Sequence, residues 1–188
     1  MVKKKIKTAV FISGKGSNLK NLIKFSKSKN SPITVNLIFS NNKHAKGLLY
    51  GYKHKIEKKV FSFKNIKITE KKILNILFKK EIKLICLAGF MKLLSKNFIE
   101  KFNGKIINIH PSLLPRFKGL DTHRRVLQSK ENFSGCTVHY VSSKLDSGKI
   151  IIQKKIKIKK KDTVRSLQKR ILKEEHKIYP KAIIKILN

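Results

Sequence analysis

Acidic side chains are scarce in this sequence: 10 Asp and Glu stand against 46 Lys and Arg in 188 residues, a formal charge of +36. Only three are aspartates, Asp121, Asp146 and Asp162, so each has to be accounted for. Cysteine is nearly missing. Cys86 and Cys136 sit in apolar or β-prone runs, which excludes a disulfide framework and predicts buried, reduced thiols in a cytoplasmic protein. No apolar run reaches the ~18 residues that a bilayer span needs, so no membrane association is expected. The basic start Met1-Val2-Lys3-Lys4-Lys5-Ile6 is followed by a stretch that Lys7 and Ser13 interrupt, so no signal peptide is expected. The histidines, at 44, 54, 110, 123, 139 and 176, lack the short paired spacing of a metal site, and no metal is expected. A nucleophile elbow is missing as well.

The excess of positive charge has two readings. One is nucleic-acid binding, the usual meaning of a strongly basic chain. The other is a coding sequence rich in A and T, whose codons favour Lys, Ile, Asn and Phe. The second has the better support. Lysine far outnumbers arginine and is spread along the chain, and isoleucine and asparagine are abundant too. Aromatic-interleaved basic clusters and a recognition helix, which a nucleic-acid module would need, are missing. So no specific nucleic-acid partner is expected, although such a field attracts small anionic substrates. With 40% hydrophobic residues, the chain can bury a core.

Strand and helix patterns alternate. Strand character is read at Thr8–Ile12, Ile33–Phe39, Val60–Phe63, Leu84–Ala88, Lys105–Ile109, Gly135–Val141 and Lys149–Ile158. Helical spacing is read at Asn18–Phe25, His44–Tyr52, around Ile73–Phe78, and from about Asp162 onward. The near-continuous apolar run Leu84–Ala88 suits a strand buried on both faces. This predicts an α/β fold, a mostly parallel twisted sheet covered by helices, in a single domain over residues 1–188.

Between the first strand and helix lies Ser13-Gly14-Lys15-Gly16-Ser17-Asn18. Glycine lets backbone approach a ligand closely, and a helix start offers free N–H groups to an anion. The loop lacks the P-loop spacing, and Leu19 stands where a dinucleotide fingerprint has its third glycine. One phosphate fits what remains; an ordinary capped turn fits equally well.

The run Asn108-Ile109-His110-Pro111-Ser112-Leu113-Leu114-Pro115 places an amide and an imidazole on one side of a strand end, stiffened by two prolines. Ligands of open α/β sheets bind beyond the carboxyl ends of strands. Histidine moves protons near neutral pH, and asparagine can donate to a developing oxyanion. Asp146, in the turn Leu145-Asp146-Ser147-Gly148, reads either as an Asx-turn residue or as a carboxylate that orients His110. Farther on, Val164, Leu167, Ile171, Ile178 and Ala182 trace one helical face, and Glu175 falls on it. A buried carboxylate needs a partner, either a lysine or a ligand.

These elements, with Leu87-Ala88-Gly89-Phe90-Met91-Lys92-Leu93-Leu94-Ser95, Gly135-Cys136-Thr137-Val138-His139 and Glu175-His176-Lys177-Ile178-Tyr179-Pro180, resemble the phosphoribosylglycinamide formyltransferases over almost the whole chain. The resemblance implies a Rossmann-like formyltransferase fold. It implies transfer of a formyl group from 10-formyltetrahydrofolate, a co-substrate, to the amine of glycinamide ribonucleotide in de novo purine biosynthesis. Asn108, His110 and Asp146 would be catalytic, and Gly16, Ser17 and Asn18 would hold the phosphate. Glu175 would bind the substrate amine. Phe90, Met91, Lys92, Leu93, Leu94, Asn108, Val141 and Asp146 would meet the folate. The family usually has an arginine after the third strand; here Lys64 or Lys67 is the substitute, and Lys92 also stands where arginine is common. The chain closes soon after its last helix, as expected of a compact member, monomeric or homodimeric. Methionyl-tRNA formyltransferase and formyl-folate deformylase share the His-Pro-Ser-Leu-Leu-Pro element. The first would need a C-terminal tRNA-binding domain and the second an N-terminal regulatory domain, and neither is expected here.

Overall fold

A computed structural model describes residues 4–187, and the Met1-Val2-Lys3 part of the basic start lies outside them. Seven strands run in the order β3-β2-β1-β4-β5-β6-β7: β1 (Ile6–Ile12), β2 (Ile33–Ser40), β3 (Glu57–Val60), β4 (Leu84–Leu87), β5 (Lys105–His110), β6 (Phe133–Tyr140) and β7 (Ile150–Lys157). The chain divides into two compact units between Ile107 and Asn108.

In the first unit, β1 pairs in parallel with β2 and β4, and β2 pairs in parallel with β3. Parallel neighbours need crossover connections, and three helices supply them: α1 (Ser17–Ser26), α2 (Leu49–His54, entered through a 3-10 turn at Lys46–Leu48) and α3 (Ile66–Lys79). All four residues of β4 and the last five of β1 are buried, which is why both read as unbroken apolar runs. Asn65 caps α3 by accepting the Ile68 N–H, and Ser95 caps the short α4 (Lys96–Lys101) by accepting that of Phe98. The buried Glu70 carboxylate accepts from the Ser95 N–H at 2.8 Å and the Ser95 hydroxyl at 2.5 Å, so its burial is matched by hydrogen bonds.

One strand lies three residues before its expected place. Sequence reading put it at Val60–Phe63, but the pairing ends at Val60. The Phe61 and Phe63 rings pack instead against Phe39, in a cluster that also holds Phe11 and Phe90. Their apolar character comes from this cluster and not from a sheet face.

In the second unit, β6 and β7 are antiparallel, with Thr137 opposite Gln153. A side chain at Gly135 would meet the Lys154 carbonyl oxygen at 2.1 Å, so only glycine fits there. The long α6 (Val164–Leu187) packs on both strands and on α5 (Thr122–Gln128). It buries Leu167, Ile171, Glu175, Ile178, Tyr179, Ala182 and Ile183. Val164, at the helix start, is 42% exposed and off this stripe. At the end of the strand order, β7 exposes Lys154, Lys155 and Lys157, charges that deter pairing with another chain's strand. No described helix is long and apolar enough to cross a membrane.

Candidate active site

The loop after β1 is shaped by two glycines in contact. Gly16 is the N-cap of α1, with φ 73°, and no side chain caps the helix. A Cβ at Gly16 would lie 2.8 Å from the Gly47 Cα. The left-handed backbone and this close approach both require glycine, so a bulky residue at Gly16 would disturb the loop itself as well as any anion beside it. The first turn of α1 carries no acid, and its amino end keeps the polarity that favours an anion. Ser17 is half-buried and Asn18 buried.

Ser13 ties this loop to the segment after β4. Its N–H donates to the Gly89 carbonyl at 3.1 Å. Its hydroxyl donates to Asn41 Oδ1 at 2.5 Å and accepts from the Met91 N–H at 2.8 Å. Beyond that tie, Phe90 and Leu94 are committed to packing, Phe90 in the aromatic cluster and Leu94 at 7% exposure. Met91, Lys92 and Leu93 are exposed, two of them large apolar side chains. Lys64 and Lys67, around the start of α3, are exposed too.

At the end of β5 the structure brings Asn108, His110 and Asp146 together. Asp146 Oδ2 lies 3.4 Å from His110 Nδ1, and Oδ1 lies 3.5 Å from Asn108 Nδ2. The Gly119 N–H donates to Oδ2 at 2.9 Å. Asp146 is therefore no ordinary turn aspartate: its backbone, at φ 43°, is in the left-handed region and its carboxylate serves residues far away in sequence. His110 Nε2 lies 2.9 Å from the Phe117 carbonyl oxygen, which can only accept, so Nε2 carries a proton. In a neutral ring Nδ1 then turns a lone pair to Asp146, while in an imidazolium both nitrogens donate.

His139 is a third neighbour that the sequence reading quoted in a motif without giving it a role. Its Nδ1 meets the Tyr140 carbonyl at 2.9 Å, and its Nε2 lies 3.2 Å from Asn108 Nδ2 and 3.6 Å from Asp146 Oδ1. With the proton on Nδ1, Nε2 accepts from Asn108 and fixes the amide orientation. The available signal was its place as a histidine at a strand end, directly before the Asp146 turn.

Burial pulls the His110 proton affinity below its ordinary value, against the Phe117 carbonyl and Asp146, which raise it. Burial pushes the Asp146 carboxyl up, but His139, the Gly119 N–H and His110 together hold it below the usual range. His123 and His176 are also lowered, chiefly by burial. A histidine whose proton affinity falls on folding stabilises the fold above its unfolded value, about 6.5, and that stability is lost as pH drops toward the folded value. The urea midpoint is therefore expected to be lower at pH 5.5 than at pH 7.5; equal midpoints would contradict these shifts.

Glu175 is 7% exposed on the buried face of α6. Burial drives the Cys136 thiol far up, and the Glu175 charge adds to it, which makes that cysteine inert. Neither cysteine is in a disulfide, and both are buried. Among the described residues no group of three His, Cys, Asp or Glu side chains could hold a metal ion. Val141, half-buried, follows β6 on the way to Asp146.

An α/β fold of seven strands with an Asn-His-Asp group at a strand end defines a Rossmann-like protein of the kind that works beyond its strand termini. The chain belongs to the formyl transferase family, whose model matches residues 6–183. It is 38% identical to the phosphoribosylglycinamide formyltransferase of Haemophilus influenzae, over 94% of this chain and 85% of that protein. It is 41% identical to the trifunctional purine biosynthetic protein adenosine-3 of Homo sapiens over 96% of its own length, but spans only 18% of that protein. The crystal structure of phosphoribosylglycinamide formyltransferase from Brucella melitensis superposes with a TM-score of 0.92 at 40% identity, covering 98% of this chain and 96% of that one.

Proposed function

We propose that this chain transfers the formyl group of 10-formyltetrahydrofolate to the amine of glycinamide ribonucleotide, a step of de novo purine biosynthesis toward IMP. The observation that carries this reading is the Asn108-His110-Asp146 group in a chain alike along nearly its full length to named phosphoribosylglycinamide formyltransferases. Residues 1–188 act as one formyltransferase domain in the cytoplasm, as a monomer or homodimer. The family match running through both compact units supports the single domain, and two buried cysteines with no disulfide between them fit the cytoplasm.

In the proposed reaction the substrate amine attacks the formyl carbon, and its nitrogen forms the new C–N bond. The carbonyl electrons move onto oxygen. The Asn108 amide N–H and the positive charge of a protonated His110, whose N–H groups face Phe117 and Asp146, stabilise that oxyanion, and Asp146 balances the imidazolium charge. The C–N bond to the folate nitrogen then breaks, and a proton lost by the attacking amine reaches that nitrogen through His110 or a water ordered by Asp146. No covalent enzyme intermediate forms. Burial opposes charge on free His110, so the proton is best held once an oxyanion stands beside it. Gly16, Ser17 and Asn18 hold the substrate phosphate at the uncapped start of α1. Glu175 binds the substrate amine. Met91, Lys92 and Leu93 offer exposed surface to the folate, and Phe90 and Leu94 support them from the packed side; Asn108, Val141 and Asp146 complete the contacts. Lys64 or Lys67 supplies the positive charge usual after the third strand.

The test is an assay with 10-formyltetrahydrofolate and glycinamide ribonucleotide beside a control without the amine substrate. Folate release that depends on the ribonucleotide is expected. Equal release in both would make the chain a hydrolase.

A further inference from the structure

Two of the three proposed catalytic side chains, His110 and Asp146, are held by one short loop. Residues 117–121 supply the Phe117 carbonyl to His110 and the Gly119 N–H to Asp146, each at 2.9 Å. The loop holds that position in an unfavourable backbone: Phe117 has φ 54°, Gly119 φ 79° and Asp121 φ 54°. For the two non-glycine residues such a conformation persists only when surrounding contacts over-determine it. Phe117 borders a cavity of about 150 Å³ on one side, and the Ser112 hydroxyl anchors the residue before it by donating to the Arg116 carbonyl at 2.7 Å.

Arg125 adds contacts from the first turns of α5. Its Nη1 donates to the Lys118 carbonyl at 2.6 Å and to the Leu120 carbonyl at 2.9 Å, and its guanidinium lies 5.8 Å from the centre of the Phe117 ring. Arg116 also lies over that ring, at 5.3 Å, but both its terminal nitrogens are engaged by Glu131. Lys118 donates to the Ser147 hydroxyl at 2.5 Å, which ties the same loop to the turn that carries Asp146.

We propose that Arg125 is a positioning residue for the reaction: by binding the Lys118 and Leu120 carbonyls and covering the Phe117 ring, it fixes loop 117–121 so that the loop can hold His110 and Asp146. The kinetic part rests on the formyl-transfer reading; the structural part does not. Arginine suits this place because Nη1 reaches both carbonyls while the planar guanidinium lies against the ring face, and a flexible lysine ammonium offers no such plane to the ring. The positive charge acts on His110 as well, pressing it toward neutrality alongside burial and His139, against the Phe117 carbonyl and Asp146; His123 is a further titratable neighbour.

The experiment uses the full chain as Arg125→Ala and Arg125→Lys. The first readout needs no substrate: the nitrogen NMR signals of the His110 ring, assigned by loss in His110→Gln. Arg125→Ala is expected to move the Nε2 signal as its bond to Phe117 loosens, with Arg125→Lys in between. The second readout is formyl transfer, where Arg125→Ala is expected to lower kcat about 10-fold or more with little change in either KM, since small misplacement of catalytic groups costs up to about 100-fold. Low millimolar guanidinium should restore part of that kcat. An unchanged Nε2 signal with wild-type kcat would overturn the proposal, as would a loss of kcat with an unchanged signal and no guanidinium rescue. If the wild-type chain transfers no formyl group yet the signal moves, the functional reading fails and the positioning role stands.

Discussion

Replacing His110 with alanine should lower kcat for formyl transfer by about 10²–10³, the size of loss that follows when a group stabilising a developing oxyanion is removed. Asp146→Asn should cost a similar factor by another route. The carboxylate faces Nδ1 of His110 at 3.4 Å and is the negative charge that compensates an imidazolium in a buried site. An amide there leaves the ring charge uncompensated, so His110 is expected to be protonated less readily. Both variants should fold. His110 ends a strand and Asp146 sits in a turn, and neither is among the apolar side chains that α6 buries. Near-native turnover in both variants would show that the group at the end of β5 is not the catalytic one.

The second large effect is expected at Glu175. A hydrogen bond to a charged partner is worth about 1.5–3 kcal/mol, so Glu175→Gln should raise the KM for glycinamide ribonucleotide about 10- to 100-fold. Folate KM should stay nearly unchanged. Thermal stability should change little, because the amide keeps the shape of the side chain and can still hydrogen-bond on the buried face of α6. A sharp loss of stability with an unchanged substrate KM would make Glu175 a structural ion-pair partner only.

Much of this molecule was legible before its structure, for identifiable reasons. β1, β2, β4, β5, β6 and β7 are placed to within two residues, because central strands are apolar on both faces and the last pair is bounded by turns. Asn108 and His110 could be paired from strand alternation alone, and Glu175 from the period of α6. Two short helices escaped notice. α4 has six residues and α5 seven, too few to show a period. The strand at Glu57–Val60 was misplaced because Phe61 and Phe63 look like strand residues while belonging to a ring cluster.

What the sequence hid about the site is mostly backbone. The Phe117 carbonyl and the Gly119 N–H hold the His110 and Asp146 side chains, and a main-chain group has no letter of its own. The left-handed turns at Phe117, Asp121 and Asp146 are equally silent, since none of the three is glycine. The role of His139 depends on neighbours at positions 108 and 146, and only the fold brings these together.

The most direct test of the central claim follows the formyl carbon itself. With 10-formyltetrahydrofolate labelled by ¹³C at the formyl group, the carbon signal should move from folate to the amine of glycinamide ribonucleotide in the presence of the wild-type chain, and no free formate should accumulate. Label appearing as formate, or remaining on folate while the ribonucleotide is present, would contradict formyl transfer by this chain.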